Sequence, residues 1–151
     1  MKQAIVIPLL IMITCTGCSS LKDFFKSETA QEQALKAGRI ATVIYLTQED
    51  KMSPDKKAAV KQVYKTFDEL MSADKDVDVS GFQAELVGKL KGKLTPAQLT
   101  IANALVGLYM KKLLKDVKTS DTVTGSDLYS LLKQFHKGIK NALDEHKALL
   151  E

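Results

Sequence analysis

Helix-start signals recur along this chain, and they constrain its fold more than any other feature. The clearest is Thr95-Pro96-Ala97-Gln98, which combines a capping box with a proline at the first helical position. Further start signals are Thr29 with Glu32, Ser53 with Pro54, Ser80 with Gln83, and Ser126 with Asp127. Apolar residues follow each start at helical spacing, and no segment shows the alternation of a strand. The sequence therefore predicts five helices, near residues 29–48, 54–72, 81–92, 96–118 and 126–149.

The composition supports a single helical domain. Glycine and proline are sparse, with 8 and 3 among the 151 residues, which disfavours a turn-rich β fold. Hydrophobic residues make up 45% and charged residues 26%, as expected of a globular chain with one core. Because the predicted loops are short and polar, neighbouring helices should run roughly antiparallel. We expect an all-α fold, a single bundle of about five antiparallel helices.

The fourth predicted helix is apolar on nearly every side from Leu99 to Met110, which is typical of a buried helix. Its longest unbroken apolar run, residues 104–110, is too short to span a membrane. We therefore expect this helix at the centre of the bundle. A face of small residues on the first helix would allow close approach, with Gly107 as its expected partner; this face consists of Ala34, Gly38 and Ala41.

The chain opens with a short apolar segment. Lys2 precedes ten residues from Ala4 to Ile13, a length that suits the core of an export signal but not a membrane-spanning helix. Polar residues follow at once. The two cysteines of the chain, Cys15 and Cys18, lie at this boundary, so the domain that follows must be held together by packing and not by a disulfide.

Thr16-Gly17-Cys18 resembles the lipobox of bacterial lipoproteins, in which small residues precede a cysteine. The resemblance implies cleavage between Gly17 and Cys18 and a diacylglyceryl group on the Cys18 thiol. Cys15 stands where the lipobox usually has Leu. Cys15 is the alternative lipidation site, although Ile13 and Thr14 before it fit the pattern less well.

The resemblance divides the chain into a signal peptide (1–17), a lipidated tether (18–28) and a helical domain (29–151). Two or three acyl chains give stable anchoring, so the mature protein is expected on a membrane of the cell envelope. Ser19 follows the lipidated cysteine, as in enteric lipoproteins that are sorted to the outer membrane. In a Gram-negative host we expect the outer membrane, with the domain facing the periplasm.

The stretch after the second predicted helix offers a weak calcium-loop pattern. Four acidic residues occupy positions one, three, five and twelve of an EF-hand-type loop: Asp74, Asp76, Asp78 and Glu85. Val79 stands where the loop needs glycine, and Gly81 stands where it needs an apolar residue. We interpret the stretch as an acidic connector before a capped helix, and we predict no metal and no cofactor.

His136 and His146 are the two histidines of the chain. Ten residues apart on one helix, they are rotated by about 80° around its axis and do not share a face. A zinc site would need distant carboxylates, because no cysteine follows the leader. We interpret both as surface histidines.

The formal net charge is +4, and lysines gather near the ends of the third and fourth predicted helices. If those ends meet, they form a basic patch for anionic lipid headgroups or an acidic partner. The alternative is that these lysines only stabilise helix C-termini through the helix dipole. The residues are Lys89, Lys91, Lys93, Lys111, Lys112, Lys115 and Lys118.

No nucleophile elbow, phosphate loop or metalloprotease helix occurs in the sequence, which argues against an enzyme. The leading expectation is a non-catalytic, membrane-anchored lipoprotein whose helical domain binds another envelope component, such as a protein or an anionic lipid surface. An exclusion or immunity role fits the same plan. The alternative is a carrier that holds a lipid or small hydrophobe in the bundle, and an enzyme or calcium sensor is the third class. Nucleic acid is not an expected partner.

Overall fold

In the part of the chain that the computed structural model describes, the helices match the number and order that the sequence predicts. The structure describes residues 28–48, 52–72, 77–117 and 125–151. Within these ranges the chain forms α1 (Glu28–Thr47), α2 (Pro54–Met71), α3 (Val79–Lys91), α4 (Pro96–Asp116) and α5 (Gly125–Glu145), followed by a 3-10 turn (Lys147–Leu149). No strand occurs in the described residues, and the packing of the helices confirms an all-α bundle. The leader and most of the tether lie outside the described residues.

Two of the predicted caps hold their helices as the sequence indicates. At α2, the Ser53 side chain accepts a hydrogen bond from the Lys56 backbone N–H at 3.2 Å. At α4, the Gln98 backbone N–H donates to Thr95 Oγ1 at 3.4 Å, and the Thr95 N–H donates to Gln98 Oε1 at 3.2 Å. These side chains pair backbone amides that a helix start leaves without an intrahelical partner.

The start of α3 differs from the prediction. Asp78, and not Ser80, caps this helix: its Oδ1 accepts a hydrogen bond from the Gly81 N–H at 2.6 Å. The helix therefore begins at Val79, two residues earlier than predicted, and Ser80 lies exposed in its first turn. An ionised carboxylate is a strong acceptor at a helix N-terminus, where it also meets the positive end of the dipole.

The first and last helices, α1 and α5, form the most extensive helix pair. They run in the same direction: Gln31 Nε2 donates to Ser130 Oγ at 3.3 Å near both starts, and Arg39 bonds Glu145 farther along both. Between these contacts the backbones approach closely at two glycines. A Cβ added at Gly38 would overlap the Phe135 carbonyl, and one at Gly138 would overlap the Leu35 carbonyl.

The small-residue face of α1 thus allows close approach, but its partner was predicted wrongly. Gly138 of α5 meets this face, whereas a Cβ added at Gly107 of α4 would have no atom within 4 Å. Small residues permit contact between backbones only where both helices present them at the same level. The sequence does not show which small residues lie at the same height along two helices, because this depends on which helices are neighbours.

Helix α4 contacts α1, α2 and α3, as expected of a central helix. Only one side of it is enclosed. Leu105 is fully buried, whereas Leu108 is half-buried and Ala104 is exposed. The helix is thus central, but it is not enclosed on every side, and the apolar residues of its outer side are small or only partly covered. The buried side consists of Ala102, Leu105, Val106, Tyr109, Met110 and Leu113.

Aromatic rings join the helices at the centre of the core. Phe67 of α2 contacts Phe82 of α3, with ring centroids 5.0 Å apart, and Phe135 of α5 at 6.5 Å. Tyr109 of α4 meets Phe135 edge-on at 5.6 Å. Rings from four helices therefore meet in one place, and pairs of this kind contribute beyond the area they bury.

The Tyr109 hydroxyl is buried in this core but remains hydrogen-bonded. It lies 2.9 Å from Thr42 Oγ1 of α1, which in turn donates to the Gly38 carbonyl at 2.9 Å. Because the Thr42 proton is used on Gly38, the Tyr109 hydroxyl is the donor to Thr42. Burial raises the pKa of Tyr109 well above its usual value, so this donor keeps its proton.

Candidate interaction surface

Helices α2 and α5 lie side by side and antiparallel, and both turn lysines outward. Lys57, Lys61 and Lys65 recur every four residues on α2, so they share one side of that helix. Of the seven lysines on the two helices, Lys56 is buried, Lys57 is half-buried and the other five are exposed. We call this surface the lysine face; it consists of Lys57, Lys61, Lys65, Lys133, Lys137 and Lys140.

The seam between the two lysine rows is closed by stacked rings. The His136 ring of α5 lies on the Tyr64 ring of α2, with centroids 4.6 Å apart and planes 6° from parallel. The same imidazole stacks on Phe67 at 5.2 Å. The stack fixes α2 against α5 and therefore sets the spacing of the two lysine rows.

Carboxylates offset only part of the charge on the lysine face. Asp144 pairs with Lys140, with Nζ and Oδ2 2.8 Å apart, and Asp68 Oδ1 lies 3.9 Å from His136 Nε2. The Lys140–Asp144 pair is exposed, where an ion pair contributes little to stability, and the contact of Asp68 with His136 is an ion pair only when the imidazole is protonated. Six lysines therefore stand against Asp68, Asp144 and, near Lys65, Glu69, which leaves net positive charge along this side of the bundle.

Burial governs the charge state of His136. It lowers the pKa of the imidazole below its ordinary value of 6.5, against smaller opposing effects of the Asp68 carboxylate and the Tyr64 backbone. The Nε2 atom is buried and has no hydrogen-bond partner. His136 is thus an aromatic packing residue in its neutral form at pH 7, and the prediction that it lies on the surface was wrong. His146, also predicted as a surface residue, is half-buried where the chain enters the 3-10 turn.

Basic residues continue from the lysine face towards the end of α3. Lys93 bonds Glu69 of α2, with Nζ and Oε2 2.5 Å apart. This bond is the main reason why the pKa of the Glu69 carboxyl is lowered, and Lys65 and Lys89 add to the effect through their charges. Lys89 and Lys93 therefore border the lysine face at the C-terminal half of α2.

The structure does not assemble the basic patch predicted from the sequence. Lys89, Lys91 and Lys93 precede α4, whereas Lys111, Lys112 and Lys115 lie in its second half. At 1.5 Å per residue, about 20 Å of helix separates the start of α4 from the second group. In that second group, Lys112 also pairs with Asp116 at 3.3 Å. Lys118 lies outside the described residues.

The acidic residues of the proposed calcium loop are divided in the same way. Asp74 and Asp76 lie outside the described residues, Asp78 caps α3, and Glu85 is half-buried on α3. The sixth position of an EF-hand-type loop lies in a sharp turn of the loop, whereas Val79, which would occupy that position, is the first residue of α3. Among the described residues, no three His, Cys, Asp or Glu side chains are grouped so that they could hold a metal ion.

A second exposed feature lies on the outer side of α1. Ile40 is 47% exposed and Ile44 is 37% exposed, and with Arg39 and Val43 they line a shallow depression of about 230 Å³. Pockets that hold drug-sized ligands usually measure ~300–1,000 Å³ and enclose most of the ligand. Arg39 is engaged here by Glu145 of α5, with Nη2 and Oε2 2.9 Å apart. The depression therefore resembles an open helix surface more than an internal carrier cavity.

Sequence reasoning missed the lysine face although both of its rows are visible in the sequence. The spacing of Lys57, Lys61 and Lys65 already places them on one side of a helix, as does the spacing of Lys133, Lys137 and Lys140. What the sequence lacks is the adjacency of α2 and α5, which are separated by two other helices along the chain. Tyr64 stacks on His136 where the two helices meet, and no pattern of neighbouring residues in the sequence predicts this contact.

Together these features define an all-α bundle with one lysine-rich side. Among the described residues, no helix is both long enough and apolar enough to cross a membrane. No family model, no curated protein and no solved structure matches this chain.

Proposed function

We propose that this protein is a lipid-anchored, non-catalytic lipoprotein of the cell envelope, and that its helical domain binds another envelope component through the lysine face. The observation that carries the proposal is the concentration of six lysines along one side of α2 and α5, where the nearby carboxylates are those of Asp68, Glu69 and Asp144. A surface of one sign attracts anionic ligands and raises their local concentration.

The lipobox-like Thr16-Gly17-Cys18 supports the envelope location, because lipidation of Cys18 would hold the domain at a membrane surface. The state of His136 supports a binding role over catalysis. A general acid or base must reach its substrate, but this imidazole is stacked between two rings and its Nε2 is buried. The lysines around it remain exposed and available for charge contacts.

Metabolic labelling with a palmitate analogue tests the anchor. The full chain should be labelled, Cys18→Ser should lose the label and accumulate uncleaved, and Cys15→Ser should keep it. Loss of the label in Cys15→Ser with retention in Cys18→Ser would contradict the assignment of the lipidated residue. Absence of the label from the unmodified chain would contradict the anchor itself.

Site-specific crosslinking in cells tests the binding surface. A photo-crosslinking residue placed at position 61 or 137, on the lysine face, should capture an envelope component, either protein or lipid. The matched control is position 111, which is exposed on the opposite side of α4 from the core. Equal capture from position 111, or no capture from positions 61 and 137, would contradict the proposal.

A further inference from the structure

We infer that the lysine face lies against the anionic phospholipid headgroups of the membrane that carries the lipid anchor. This inference rests on the proposed function and names the component that the lysine face binds. The domain would then lie on its side, with α2 and α5 towards the bilayer and the opposite side free.

The choice of cation is the first argument. Every cation of the lysine face is a lysine, and Arg39, the one arginine of the sequence, is bonded to Glu145 away from this face. Protein interfaces are enriched in arginine and depleted in lysine, because the guanidinium group makes fixed, paired hydrogen bonds. Attraction to a headgroup layer needs only charge, which a flexible ammonium group supplies.

The shape of the surface is the second argument. The lysine rows extend along about 12 Å of α2 and about 10 Å of α5, so the charge is spread and not focused in a pocket. Among the described residues, the exposed large hydrophobic side chains are Ile40, Ile44 and Leu149, and none of them belongs to α2 or α5. Protein binding usually needs a central aromatic or aliphatic anchor. The lysine face has no exposed aliphatic anchor, and the half-buried Tyr64 ring in its seam is already stacked on His136, which fits adsorption at the level of the headgroups.

The length of the tether is the third argument. If Cys18 carries the lipid, Glu28 at the start of α1 follows it ten positions later in the chain. An extended chain of that length spans at most about 33–36 Å. Either side of the bundle can therefore reach the bilayer, and the side with the opposite charge is favoured. A basic surface beside an acyl anchor is a common way to strengthen membrane attachment.

Lysine acetylation of the lipidated full-length protein tests this orientation. The protein is reconstituted into vesicles of phosphatidylcholine alone or with phosphatidylglycerol, and modification by an acetylating reagent is followed for each lysine by mass spectrometry. Phosphatidylglycerol should slow acetylation of Lys61, Lys65, Lys133 and Lys137 by about threefold or more, and roughly 0.5 M salt should remove the effect. Lys111 and Lys115 are the internal controls and should change little.

Charge-reversal variants provide the second arm. The double substitution K61E/K137E should abolish protection of the remaining lysines on the face, whereas K111E/K115E should retain it. Equal rates in both kinds of vesicle, or equal slowing of Lys111 and Lys115, would overturn the inference. Protection that appears only after envelope proteins are added would overturn it in favour of an acidic protein partner. A missing lipid on the purified chain would instead contradict the proposed function, so the two failures are distinguishable.

Discussion

Gly38 and Gly138 are the two glycines of the described residues at which an added side chain would overlap backbone atoms of a facing helix. At each of them an added Cβ would overlap a carbonyl oxygen of the facing helix, so α1 and α5 would have to separate along their whole contact. Backbone atoms cannot move aside as a flexible side chain can. The absence of a Cβ atom at these two glycines thus allows α1 and α5 to pack as closely as they do.

We expect Gly38→Ala to lower the free energy of unfolding by about 1–3 kcal/mol, because overpacking at a close contact forces backbone shifts. Gly88→Ala is the matched control. It lies in α3 with no atom within 4 Å of the added Cβ, and it should raise the free energy of unfolding by about 0.4–1 kcal/mol. Chemical denaturation of both variants measures the difference. A neutral Gly38→Ala would show that α1 and α5 are not packed this closely.

His136 makes stability depend on pH. Burial lowers its pKa in the folded state below the ordinary 6.5, so the unfolded chain binds the proton more readily. Its contribution to stability is present above about pH 6.5 and is lost as the pH falls through the folded-state pKa. The nearby Asp68 carboxylate reduces this loss without removing it.

His136→Phe should keep the stack on Tyr64 and Phe67 but remove the titration. The melting temperature of the unmodified protein should therefore fall more steeply between pH 7 and pH 5 than that of the variant. Melting curves followed by circular dichroism at several pH values measure both slopes. If the two slopes are equal, the imidazole is not the group responsible.

At the scale of single elements, the caps Ser53 and Thr95 were predicted correctly, whereas Thr29 and Ser126 lie just inside helices that begin at Glu28 and Gly125. Ser53 and Thr95 are followed directly by proline, which fixes the first helical position. Before α3, Asp78 and Ser80 compete within three residues, and the stronger acceptor wins. The sequence shows which residues could cap a helix. The packing of the neighbouring residues, here the burial of Val79, determines which of them does.

We predict that Asp78→Ala destabilises the domain by about 1 kcal/mol, within the ~0.5–2 kcal/mol typical of a lost cap. Ser80→Ala should leave the stability nearly unchanged, because this side chain is exposed in the first turn. Denaturant midpoints of the two variants decide the matter. A larger loss of stability in Ser80→Ala than in Asp78→Ala would show that Ser80 caps the helix, as the sequence indicated.

At the scale of the whole molecule, the helices follow from local patterns but their arrangement does not. The periodicity of Leu128, Leu131, Leu132 and Phe135 shows which side of α5 is buried, yet it does not show that α1 covers that side. The same limit explains why the lysine rows were visible and the lysine face was not. It also explains the wrong prediction for Gly107, since a small residue allows close approach only where a second helix lies opposite it.

The pairing of α1 with α5 also determines when this domain can fold. Its contacts join residues far apart in the chain: Gln31 and Ser130 are separated by 99 positions, and Arg39 and Glu145 by 106. Contacts of such long range close late and slow folding. Until α5 has been synthesised, the face of α1 around Gly38 has no partner helix to pack against. A chain cut short before α5 would therefore leave this face of α1 uncovered, and we expect it to be degraded by proteases faster than the full chain.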